Sequence, residues 1–130
     1  MTDYDPADFA LLVCGWTQGA AETGRADELT IARALELENV ARMLSRLYTE
    51  VQDEWGDAYH VLALDHVEAE DAIWAYEVVE PLGVWIGRAY GRDGTMPPLA
   101  EIETAARAIV EKQQKRLNAI ERSNYEEPRP

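Results

Sequence analysis

Apolar residues in this chain return at steps of three and four over two long stretches, and that spacing constrains the fold more than any other feature. Between Asp27 and Trp55 the series is Leu37, Val40, Leu44, Leu47 and Val51. From Pro98 to Ser123 it is Leu99, Ile102, Ala106, Ile109, Leu117 and Ile120. Such alternation lines one face of a helix with 3.6 residues per turn, the seam by which helices pack into a bundle. The first stretch predicts a helix roughly 40 Å long. Ahead of it, Asp5 is placed to cap a helix with Pro6 in its first turn, and Phe9, Leu12, Val13 and Trp16 follow at helical spacing. That helix is expected to end near Gly19, before a loop over TQGAAETGRAD.

Asp57 to Glu80 keeps a helical pattern, and Gly56 either ends the second helix or sits inside a longer one. Pro81 is expected to open a short helix through Tyr90, GRDGTMPP reads as a loop, and residues 124–130 as a frayed tail. The predicted fold class is all-α, an irregular bundle of four or five helices. With 130 residues the chain is the size of a single domain, 1–130, built around one core.

Charge is distributed very unevenly along this framework. The net charge is −13, and residues 47–87 hold ten acids and no lysine or arginine. Residues 88–130 carry eight bases against seven acids, so the final helix can offset part of the deficit if it packs nearby. A deficit of this size repels nucleic acid and anionic membrane surfaces and favours a basic partner. No direct contact with nucleic acid or membrane is expected. The longest apolar run, FALLVCGW, is too short to span a bilayer, and the acidic start lacks the basic region of a secretory signal. A cytoplasmic location, native or inside a host cell, is the expectation. Cys14 is the only cysteine, which rules out an internal disulfide, and its apolar neighbours predict an inert buried thiol.

Taken as one continuous helix, Glu50 to Asp71 places Glu50, Asp53, Glu54, Asp57, Asp65, Glu68 and Asp71 within an arc of about 120°. An ordinary exposed helix mixes both signs for pairing, and this one does not. The stripe therefore reads as a binding surface for a basic site on a macromolecular partner such as a nucleic-acid-binding protein. Over Glu50 to Glu80 the carboxylates would stand about 4.5 Å apart along a helix, close to the 3.4 Å charge spacing of a single nucleic-acid strand. A nucleic-acid mimic that inhibits a host factor, in the manner of phage anti-defence proteins, is one setting for such a surface. Trp74 and Glu77 extend the predicted contact set, because aromatics are frequent interface anchors. Trp55, Tyr59, Tyr76, Trp85 and Tyr90 lie in or just after the same segment. The alternative for the stripe is a solvated face without a partner, and a homodimer is left open.

A second reading is enzymatic. Glu54-Trp55-Gly56-Asp57, preceded by the helical ALELENVARML, resembles the second carboxylate pair of the all-α nucleoside triphosphate pyrophosphohydrolases of the MazG type, over about residues 10–70. The resemblance implies Mg²⁺ or Mn²⁺ held by Glu36, Glu54 and Asp57, since hard cations take oxygen ligands. Where the family has a Glu-x-x-Glu pair, this chain has Glu36 with Asn39. Under the binding reading there is no cofactor and no metal, and no catalytic residue is assigned. His60 and His66, six residues apart, cannot face one metal from a single helix. Gly83, Gly87 and Gly91 recur every four residues, a pattern that allows close helix approach but lacks the basic residue of a phosphate loop. The sequence favours binding over catalysis and leaves the class of activity open.

Overall fold

The computed structural model describes residues 3–61 and 73–125, and for 52–61, 117, 118 and 120–125 it describes the backbone alone. Four helical stretches make up this part, and no strand occurs among the described residues. The first is α1, Pro6–Ala21, which starts where Asp5 accepts a hydrogen bond from the Ala7 amide at 2.9 Å. It runs past Gly19 and stops at Gly24, whose φ of 75° turns the chain. There the Arg25 amide reaches back to the Ala20 carbonyl at 2.9 Å. Only a residue without a Cβ enters this left-handed region at little cost, so Gly24 and not Gly19 is the stop signal.

A single 3₁₀ turn, Ala26–Glu28, leads into α2, Ile31–Val61. Thr30 caps α2, its hydroxyl accepting from the Arg33 amide at 3.4 Å and its carbonyl from the Ala34 amide at 2.9 Å. The helix passes through Gly56 without a break, which decides the alternative that the sequence left open.

The chain is already helical at Ile73, so no helix starts at Pro81. Trp74–Val79 forms a π-helical turn that continues directly into α3, Glu80–Asp93. The Glu80 amide bonds the Ala75 carbonyl, five residues back. Pro81 offers no N–H, and its ring crowds the carbonyl four residues earlier, so a widened turn lets the helix absorb the proline instead of starting there. Gly94, at φ 75°, ends α3 with its amide on the Tyr90 carbonyl at 2.7 Å. The last helix, α4, is Leu99–Tyr125, so residues 124 and 125, expected to fray, belong to it; the rest of the predicted tail lies outside the described residues.

The closest pairing is α1 against α3, and glycine makes it possible. A Cβ on Gly15 would come within 2.6 Å of the Glu80 carbonyl oxygen, and one on Gly83 within 2.8 Å of the Leu12 oxygen. A Cβ on Gly87 would strike the Trp16 carbonyl, and one on Gly19 the Val84 carbonyl. Each helical glycine costs about 1 kcal/mol relative to alanine. That cost is offset where the two backbones touch.

Around this pair lies one core. Leu12 and Trp16 of α1, Leu37, Val40, Leu44 and Leu47 of α2, Val78, Leu82 and Ile86 from the π turn and α3, and Ile102 and Ala106 of α4 are all buried. The predicted seam of α2 is therefore the inner face of the bundle. On α4 the described part of the seam is offset, and the side chains of Leu117 and Ile120 lie outside the described residues. Leu99 is 44% exposed, and Val110 with Gln113 is turned inward. Cys14 is exposed, contrary to the buried thiol expected, because Leu12, Gly15, Trp16 and Gly19 take the inward positions of α1.

Candidate functional site

The candidate surface begins near the end of α2. Because that helix is continuous, Glu50, Asp53, Glu54 and Asp57 occupy positions within an arc of about 100° on one rod, over about 10 Å of its length. Glu50 is exposed, yet its carboxylate is not a lone charge. Arg107 of α4 donates to it at 3.0 Å and also pairs with Glu103 at 3.3 Å. The two carboxylates, Glu50 foremost, raise the Arg107 pKa above its ordinary value. The final helix thus does offset part of the acidic segment, as its basic residues led one to expect, through the pair between Arg107 and Glu50. The side chains of Asp53, Glu54 and Asp57, and the whole of Asp65, Glu68 and Asp71, lie outside the described residues.

On the far side of the acidic segment the structure separates residues that the sequence had grouped. Trp74 is 4% exposed; its indole N–H donates to the buried Asp8 carboxylate at 3.1 Å, and its ring meets Tyr48 at 4.8 Å between centroids. It is a core residue whose polar edge is satisfied from α1, and it presents no face to a partner. Tyr90 is buried as well, packed against Trp16 at 5.2 Å and donating to Glu28 at 2.8 Å. Among the described side chains of this group the outward aromatics are Tyr76, 63% exposed, and Trp85, 39% exposed; those of Trp55 and Tyr59 lie outside the described residues. Glu77 is half-buried and has no ion-pair partner among the described residues. The widened π turn accounts for this sorting. It shifts the helical register just before Pro81, turning Trp74 inward and Tyr76 outward, which a uniform 100° per residue does not anticipate.

The metal-binding alternative meets a distance problem. Glu36 and Glu54 lie on the same unbroken helix, 18 residues apart. At 1.5 Å per residue that is about 27 Å, and Asp57 is farther still. Ligands of one Mg²⁺ or Mn²⁺ sit about 2.1 Å from the ion, so these three carboxylates of one chain cannot share it. Glu36 is also engaged already, in a 2.8 Å ion pair with Arg33. With Asn39 it borders a cavity of about 100 Å³ whose other walls are Val40, Met96, Pro97, Leu99 and Ile102. That lining supplies no second carboxylate. Among the described residues no group of three or more His, Cys, Asp or Glu is placed to hold a metal ion.

A second polar network joins the start of α2 to its neighbours. Arg25 pairs with Glu28 at 3.4 Å, Glu28 accepts from Tyr90, and the Arg33 guanidinium lies 5.5 Å from the Tyr90 ring centre. Tyr90 and then Glu36 hold the Arg33 pKa above its ordinary value against the opposing effect of desolvation. These contacts fasten the 3₁₀ turn to α3 and the start of α2.

Among the described residues no helix is long and apolar enough to cross a membrane. No family model, no curated protein and no solved structure matches this chain.

Proposed function

We propose that this protein works by binding, with the acidic face at the end of α2 and the acidic residues that follow occupying a basic site on a nucleic-acid-binding protein. The observation that carries this reading is the continuity of α2 through Gly56. It sets the positions of Asp53, Glu54 and Asp57 on one rod beyond the point where Arg107 offsets Glu50. Carboxylates spaced a few ångströms apart on a rigid rod resemble the charge spacing of a nucleic-acid strand, about 3.4 Å. A groove shaped for phosphates accepts them by long-range attraction, and the occupied groove is inhibited. Asp65, Glu68 and Asp71 extend the surface in this proposal on the strength of the sequence. Tyr76 supplies an exposed aromatic edge, and Glu77 adds a carboxylate without an ion-pair partner among the described residues. A nuclease acting in the cytoplasm of a phage-infected host is one partner of this class.

The reading is tested by immobilising the protein, capturing partners from a bacterial lysate at low salt and eluting with a single-stranded oligonucleotide. The expected eluate is a stoichiometric basic protein that binds nucleic acid. It should also be released by salt, since exposed charges are screened beyond about 10 Å at 0.1 M. A partner that neither the oligonucleotide nor salt displaces would contradict the mimicry.

A further inference from the structure

Along α4, beside Trp85 of α3, runs an open, mainly apolar groove of about 550 Å³. Its lining is Trp85 of α3 with Ala100, Glu101, Thr104, Ala105 and Ala108 of α4. Trp85 is 39% exposed here, a large apolar ring left beside small side chains that cannot cover it. Groove and charge together identify an occupant. Glu101, Ala105, Ala108 and Lys112 fall at i, i+4, i+7 and i+11, inside an arc of about 60° on α4. Glu101 and Lys112 are both exposed, and neither has an ion-pair partner among the described residues.

We infer that this groove is the self-association face of the protein, occupied by α4 of a second copy lying antiparallel across it. Its charges are self-complementary. The midpoint between Glu101 and Lys112 is also the midpoint between Ala105 and Ala108, the condition a two-fold antiparallel helix pair imposes. In that arrangement each Glu101 meets the other copy's Lys112, and each Ala105 meets the other copy's Ala108. The alanines permit a short interaxial distance, near the lower end of the usual 8–10 Å. Trp85 of each copy then covers the side of the other copy's α4. The ten acids of residues 47–87, of which Glu50 is paired with Arg107, lie outside α4, while residues 88–130 are close to neutral. Association through α4 therefore joins the two copies by a segment that does not repel itself. This inference is independent of the acidic-surface reading.

Sedimentation of the full chain over a range of concentrations tests it. The expected result is a concentration-dependent dimer. Glu101→Lys and Lys112→Glu should each weaken it about tenfold or more, because each turns two attractive contacts into two repulsive ones. The double exchange, Glu101→Lys with Lys112→Glu, should restore association toward the original level. Both positions are exposed, so circular dichroism should confirm that all three variants keep their helix content. A chain that stays monomeric at hundreds of micromolar would overturn the inference. So would a dimer indifferent to the single reversals, or a double exchange no better than either single change.

Discussion

Gly87 and Gly24 show how differently two glycines of the same chain act. A Cβ on Gly87 would strike the Trp16 carbonyl, a backbone atom that moves only if α1 and α3 separate. Gly24 has nothing within 4 Å of the added atom, but its φ of 75° is left-handed. Gly87→Ala is expected to destabilise the fold by about 2–3 kcal/mol through overpacking. Gly24→Ala should cost about 1 kcal/mol through backbone conformation alone. Urea unfolding of the two variants measures both. At the N-terminus the Asp3 carboxylate accepts from Arg42 at 2.8 Å, and that hydrogen bond holds its pKa below the ordinary carboxylate value. A folded pKa below the unfolded one contributes stability above the unfolded value and loses it as pH falls through the folded one. Asp3 should therefore titrate by NMR at a pH below an ordinary aspartate, and Arg42→Ala should return it to the ordinary range. Little of this residue detail was legible in the sequence. The repeat of Gly83, Gly87 and Gly91 announced a close helix approach, but Gly15 and Gly19, the glycines it meets, lie some seventy residues away and carry no local sign of pairing.

Among the elements, α2 and α4 were readable because their apolar spacing is long and regular, and burial of Leu37, Val40, Leu44, Leu47, Ile102 and Ala106 follows from it. The π turn was not readable. It arises from Pro81 meeting a helix already under way, and a register shift of this kind sends Trp74 into the core beside Asp8 and leaves Tyr76 outside. Gly56 was ambiguous for a different reason. A glycine between two helical patterns serves equally as a stop or as an interior residue, and only the backbone decides. Within α2, Gly56 has a helical conformation that alanine adopts more readily. Gly56→Ala should raise stability by about 0.5–1 kcal/mol and leave the helix content at least as high. A loss of stability on this substitution would mean that α2 turns at Gly56 after all.

At the scale of the whole molecule, two flanks of α4 have opposite relations to the charge map. One flank brings Arg107 to Glu50 and Glu103, and limits how far the acidic surface reaches toward the bundle. The other carries the groove beside Trp85, with Glu101 at one end and Lys112 one turn beyond the other. A two-fold dimer through the second flank would present two acidic faces to a partner. The same continuity of α2 that sets the acidic positions on one rod separates Glu36 from Glu54 by about 27 Å, too far for the two to share a metal ion. The concentration of acids in residues 47–87 was evident from sequence, whereas the share of it offset by Arg107 depended on how α4 packs. The most direct measurement compares partner capture by the unaltered protein with capture by a variant carrying Asp53→Lys, Glu54→Lys and Asp57→Lys, at matched helix content. The oligonucleotide-displaceable basic partner should be lost from the variant; its retention at equal yield would contradict a binding role for the acidic face of α2.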